Sequence, residues 1–266
     1  MAPVSENRAG HGPVVIAVAN QKGGVAKTTT SVNLAACIAE LGKRTLLVDM
    51  DPQGGCAVCL GMDTTTLERS VYDALVKPGV SVADVIVPTQ FSFDLVPATI
   101  DLAGAEIELK QALAAETVLQ RRLKPVLDRY DYIVIDTPPS LGILTVNSLT
   151  AAEQVLIPIS TEYMSLRGLR MLLDTLESVR EVTNPKLAVL GILATRYDAR
   201  TLNSREVRQY LAEFCEREGL RLFDEVIKQS VRFAEAPGYH TPLALWRRDL
   251  DGAKQYHRLA EEVVNG

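Results

Sequence analysis

The run Asn20-Gln21-Lys22-Gly23-Gly24-Val25-Ala26-Lys27-Thr28-Thr29-Thr30 lies between two stretches of different periodicity. Residues 14–19 before it are continuously apolar, the pattern of a strand buried on both faces. After it, Val32, Leu34, Ala35, Ile38 and Leu41 recur at helical spacing until Gly42, a natural helix terminator. A buried strand, a glycine turn and a helix in that order form the cradle of a phosphate-binding loop. Glycines let successive backbone N–H groups turn inward around an anion, and the helix start adds partial positive charge. Lys27 would supply a mobile cation for phosphate oxygens, and the Thr28 hydroxyl a ligand for Mg²⁺. The candidate nucleotide contacts are therefore Lys22, Gly23, Gly24, Val25, Ala26, Lys27, Thr28 and Thr29.

The rest of the chain supports the same architecture. Residues 45–48, 132–135, 154–159 and 187–194 are further apolar runs without alternation, and helical patterns fall near 112–129, 165–182, 202–217 and 252–264. Continuous apolar strands separated by helices predict an α/β fold, a doubly wound, mostly parallel sheet with helices on both faces. At 266 residues, with 47% hydrophobic and 5% aromatic residues, one such domain over 14–266 behind a polar tail of 1–13 is the simplest reading.

Acidic residues stand where such a fold places ligands, at the carboxyl ends of strands. Asp49 and Asp51 close the second apolar run and, by period-two alternation, point to one side. Asp136 closes the run Ile133-Val134-Ile135. Mg²⁺ takes hard oxygen ligands, so Thr28, Asp49 and Asp136 are the candidate metal residues.

Composition excludes some functions. A net charge of −5 argues against coating nucleic acid by bulk charge. Twelve of the 28 Lys and Arg nevertheless fall between Arg196 and Arg258, interleaved with ten acidic residues. No apolar stretch reaches the roughly 20 residues needed to cross a bilayer. Cys37, Cys56, Cys59 and Cys215 form no disulfide framework, and residues 1–13 lack a signal-peptide pattern, so a reducing cytoplasm is expected.

The loop departs from the simple Gly-x4-Gly-Lys-Ser/Thr pattern: Gln21 occupies the first glycine position, and a second lysine, Lys22, precedes the glycine pair. This arrangement resembles the deviant Walker A loop of the ParA/MinD family of P-loop ATPases. The resemblance extends from about Val14 to Val264 and is closest to the chromosomal ParA (Soj) branch. Its supporting segments are residues 97–109, Pro138-Pro139-Ser140-Leu141-Gly142, Tyr197-Asp198-Ala199-Arg200-Thr201, and residues 231–237. It implies ATP and Mg²⁺ as cofactors, an ATP-dependent sandwich homodimer, non-specific binding of double-stranded DNA, and hydrolysis stimulated by a ParB-like partner. Lys22 would reach the partner's phosphates, Lys27 the phosphates of its own site, and Asp51 would orient the attacking water. Asp136 would hold Mg²⁺ through water, with Asp49 behind it. Arg200 and Arg232 match the DNA-contact positions, and Lys228 and Ser230 would border the purine. Arg196, Lys228, Arg247 and Arg248 would extend the basic patch.

Three departures stand out. Ala26 replaces the family's glycine, at a cost of about 1–2 kcal/mol if its backbone is left-handed. Lys228-Gln229-Ser230 replaces Pro-Arg-Asn, and Arg167 replaces a glutamate after Tyr163. Three rivals remain: a MinD-like membrane or cargo switch, a nitrogenase-type reductase using Cys56-x-x-Cys59, and a nucleotide-binding module that hydrolyses little. Ala253, Tyr256, Leu259, Ala260 and Val263 at helical spacing suit packing on the domain better than insertion into lipid. One CxxC without further ligands is a weak cluster or metal signature.

Overall fold

The computed structural model describes residues 12–162 and 166–266. Residues 1–11, most of the expected tail, and 163–165, including the expected start of a helix at 165, lie outside the described residues. Among the described residues one eight-stranded sheet runs in the order β3-β4-β2-β5-β1-β6-β7-β8. The strands are β1 (Val14–Val18), β2 (Thr45–Asp49), β3 (Val87–Pro88), β4 (Asp94–Val96), β5 (Tyr132–Asp136), β6 (Gln154–Ser160), β7 (Ala188–Tyr197) and β8 (Leu222–Lys228). All neighbours pair in parallel except β3 with β4. The expected doubly wound fold is therefore the one observed.

The helices are α1 (Lys27–Glu40), α2 (Gly55–Cys59), α3 (Val71–Val76), α4 (Leu102–Leu109), α5 (Val118–Leu123), α6 (Ile143–Ala151), α7 (Leu166–Val182), α8 (Leu202–Glu218), α9 (Arg232–Glu235), α10 (Leu243–Trp246) and α11 (Asp251–Asn265). Successive strand residues serve opposite faces. Val14, Ile16 and Val18 pack with Leu34 and Ile38 of α1 and Tyr256 and Leu259 of α11. Val15 and Ala17 pack on the other face with residues of α3 to α8, among them Leu119, Leu144, Leu172 and Phe214. Each face thus has its own apolar core, which explains why the strands read as uninterrupted apolar runs.

One expectation fails, and the strand β8 was not among the expected runs, each for a local reason. The single helix expected over 112–129 is broken into α5 between 3₁₀ turns at Ala115–Thr117 and Lys124–Arg129. Pro125, in the first turn of the second 3₁₀ segment, has no N–H to continue an α-helical ladder. The edge strand β8 carries Asp224 and Glu225, so it lacks the continuous apolar signature of the inner strands.

The last helix docks as its spacing predicted, with Ala253, Tyr256, Leu259 and Ala260 buried. Tyr256 is wholly buried, and its hydroxyl bonds Thr30 Oγ1 of α1 at 3.1 Å. No helix among the described residues is long and apolar enough to cross a membrane. Tyr256→Phe would leave the Thr30 hydroxyl without its partner. The expected loss is about 1 kcal/mol of unfolding free energy, measured by urea titration.

Candidate functional site

The parallel register brings the site together. Asp136 on β5 pairs in register with Val18 on β1 and with Asp49 on β2, so both carboxylates stand level with the start of the phosphate loop. Adjacent strands lie about 4.8 Å apart, and both aspartates are wholly buried. Burial pushes both carboxyls above the usual range. At Asp49 the neighbouring Asp136 adds to the rise.

Specific donors hold this pair. Thr28 Oγ1 donates to Asp136 Oδ2 at 2.7 Å, and Ser31 Oγ, one turn further along α1, donates to Oδ1 at 2.9 Å. Asp49 accepts the backbone N–H groups of Asp51 and Cys56, each at 3.0 Å. Asp49 thereby fixes the turn that carries Asp51, a use of its oxygens that period-two alternation does not reveal. The donor atoms of Asp49, Cys56 and Asp136 all lie within 4.8 Å of one another. The Cys56 thiol points to Asp136 Oδ2 at 3.7 Å. Burial raises both thiols of the CxxC pair, Cys59 to about 11, so neither is a ready thiolate ligand.

The loop runs between these strand ends and α1. Asn20 anchors its entry, with Nδ2 donating to the Pro158 carbonyl at 2.8 Å and Oδ1 accepting the Lys22 N–H at 2.9 Å. Lys27 Nζ crosses the loop to the Lys22 carbonyl at 3.0 Å. Lys27 is 6% exposed; burial lowers its pKa, opposed by the carboxylates of Asp136 and Asp51. A buried ammonium at the N-terminus of α1, where helix N–H groups lack intrahelical partners, suits a negatively charged ligand. Gly24 and Ala26 are both left-handed, at φ 72° and 68°. Ala26 therefore does carry the strain that a glycine would avoid.

A cavity of about 660 Å³ opens from the loop. Its lining includes Gly24, Ala26 and Thr29, together with Lys228, the last residue of β8, and Gln229 and Ser230 just beyond it. The Lys228 ammonium pairs with Asp251 at 2.6 Å. Ser230 Oγ accepts the Arg232 N–H at 3.2 Å. Arg200 also lines this cavity, and Arg232 follows Val231, which lines it too. Arg200 forks onto both oxygens of Asp198 at 2.9 and 2.8 Å and is 90% exposed. This pairing draws the Asp198 carboxyl down to about 2. Arg232 pairs with Glu235 at 2.6 Å.

The expected extension of the basic patch is not a patch of unpaired charge. Arg247 pairs with Asp249, Arg248 with Glu40, and Arg196 turns toward Glu162 and the loop. Arg167 is exposed on α7. Sequence reasoning passed over Ser31 and Thr195, and gave Arg196 only as an extension of the basic patch, not as a contact of the loop. Ser31 carried a signal, one helical turn after Thr28 on the face that meets Asp136. The other two carried none, because their contacts to the loop span 170 and 172 residues.

The donor set fits a magnesium nucleotide: Lys27 and the N-terminus of α1 for phosphate oxygens, and the hard oxygens of Thr28 and Asp136 for the ion. Comparison with known proteins decides the family. Residues 14–189 match the family model described as an AAA domain. Soj of Bacillus subtilis, a sporulation initiation inhibitor protein, is 46% identical over 94% of this chain and 98% of its own length. The chain belongs to the ParA/MinD family, in its ParA/Soj branch. The chromosome partitioning protein ParA of Caulobacter vibrioides is 41% identical over 94% of both chains. Among solved structures, one named cobyrinic acid a,c-diamide synthase of Mycobacterium smegmatis, with ADP and magnesium bound, superposes with a TM-score of 0.83. It is 39% identical and covers 95% of this chain and 94% of its own.

The left-handed Ala26 of this ParA-type chain yields a direct test. Ala26→Gly is expected to raise the unfolding free energy without nucleotide by about 1 kcal/mol, read by chemical denaturation. A fall would show that the methyl group is accommodated without strain.

Proposed function

We propose that this ParA-type partitioning ATPase is an ATP-gated dimer that holds non-specific DNA and releases it on hydrolysis. What carries the reading is Arg200 in the lining of the cavity that opens from the phosphate loop, with Arg232 next in the chain to the lining residue Val231. Residues 22–29 receive the phosphates of ATP, and Lys228 and Ser230 border the base. Thr28 and Asp136 would hold Mg²⁺, with Asp49 behind them, and the ion would neutralise charge on the transferring phosphate. Lys27 contacts the phosphates within its own subunit, and Lys22 reaches those of the second copy. Asp51, held on the turn that Asp49 organises, orients the attacking water.

Pairing of Arg200 with Asp198 and of Arg232 with Glu235 gives each subunit little net charge to offer. A duplex must exchange carboxylate partners for phosphates, which is unfavourable for one copy and improved when a dimer doubles the contacts. This accounts for an ATP requirement and for steep weakening by salt. A ParB-like protein would stimulate hydrolysis that is slow in its absence, and no membrane partner is needed. A diamide synthase, the name carried by the mycobacterial structure, would bind ATP with no response to DNA, so DNA binding separates the two readings.

DNA binding with ATP, ADP and no nucleotide, across a salt series, is the primary test. Binding is expected only with ATP. Arg232→Ala should weaken it without changing ATP affinity, and unchanged DNA binding would remove Arg232 from the contact surface. Lys27→Ala should abolish nucleotide binding in equilibrium titration. Asp51→Ala should keep the ATP dimer in size-exclusion chromatography while phosphate release slows by about 100-fold or more.

A further inference from the structure

A loop that offers its N–H groups to phosphate must turn its carbonyls elsewhere, where donors can hold them. The end of β7 provides two. Thr195, itself wholly buried, donates its hydroxyl to the Val25 carbonyl at 3.1 Å. Arg196 Nη1 donates to the Gly24 carbonyl at 3.3 Å.

The rest of the Arg196 guanidinium is committed to Glu162, just after β6. Nη2 donates to Oε1 at 3.3 Å, and the buried Nε lies 2.7 Å from Oε2, a close ionic contact not aligned as a hydrogen bond. The Arg196 backbone is left-handed, at φ 51°, a conformation that an arginine keeps only when its surroundings over-determine it. Thr161 helps to do so: its N–H reaches the Thr195 carbonyl at 2.9 Å, and its hydroxyl the Arg196 carbonyl at 3.1 Å. A strained backbone, a carboxylate tether and a contact to the phosphate loop thus converge on one side chain that also lines the cavity.

We propose that Arg196 is a positioning residue for the nucleotide. It holds the Gly24 carbonyl outward, so that the loop N–H groups stay directed at the phosphates. The inference rests on the nucleotide-binding reading of the loop. Because Glu162 neutralises its charge, Arg196 acts through the loop backbone rather than as a free cation on the ligand. Its contribution is therefore common to ATP and ADP, whose phosphates share the loop. Arg196 is also distinct in role from Arg200, four residues on, which turns to Asp198 instead.

Arg196→Gly separates positioning from simple support, because it removes the donor and relieves the left-handed backbone in one change. Dissociation constants for Mg-ATP and Mg-ADP, measured by titration calorimetry, are paired with the unfolding midpoint of the nucleotide-free protein. Both affinities are expected to fall by about tenfold, the loss of a charged hydrogen bond, while the midpoint holds or rises. Arg196→Lys, whose single ammonium cannot span Gly24 and Glu162 together, should show an intermediate loss. Affinities within about twofold of the parent protein would overturn the proposal, as would a midpoint that falls together with affinity. If the parent protein bound neither nucleotide, the reading of the loop itself would fail, and this role for Arg196 with it.

Discussion

The burial of Asp136 is the constraint from which the rest of the site follows. A carboxylate removed from water is costly unless hydrogen bonds or opposite charge replace its hydration. Here the replacements come from Thr28 and Ser31, both on the first turn and a half of α1, and from the nearby Lys27. That requirement ties the start of α1 to the end of β5, while β1, lying beside β5, delivers the chain to the same level. The loop between β1 and α1 therefore has both ends fixed, and its conformation is a consequence of sheet register as much as of its glycines. Asp49, one strand away, is satisfied by backbone N–H groups instead, and so organises the turn that presents Asp51.

Strain gathers around the same loop. Gly24, Ala26 and Arg196 are all left-handed, and two of the three carry side chains that disfavour it. Such conformations persist where neighbouring contacts over-determine them. The surrounding contacts are plain: the Ala26 carbonyl accepts the first helical bond from Thr30, and Arg196 is gripped by Thr161 and Glu162. A loop already shaped for an anion does not have to be ordered when the anion arrives, which favours affinity at the expense of stability in its absence.

Local pairing explains how an acidic protein carries so many arginines between Arg196 and Arg258. Arg200, Arg232 and Arg247 each meet a carboxylate two or three residues away, while Lys228 and Arg258 meet carboxylates across the contact of β8 with α11. Exposed pairs of this kind add little to stability. Their larger effect is to set the surface potential near neutrality, so that binding a polyanion depends on exchange of partners and on the number of sites engaged.

The strand–loop–helix, the acidic strand ends and the parallel sheet were legible in the sequence. Each depends on local pattern: apolar runs with period two or 3.6, glycines beside a lysine, an aspartate closing a strand. The resemblance to ParA/MinD proteins rested on the same short-range motifs. The broken helix over 112–129 was missed because one proline outweighs an apolar period, and β8 because an edge strand need not be apolar throughout. Contacts across the chain were decided by tertiary structure. It alone showed Ala26 as left-handed, turned Lys228 toward Asp251, and set Thr195 and Arg196 of β7 against the carbonyls of a loop some 170 residues earlier. The physical reason is that local periodicity specifies which face of a strand is buried. It does not specify which strand lies beside it or at what register, and those two choices determine which donor meets which carbonyl.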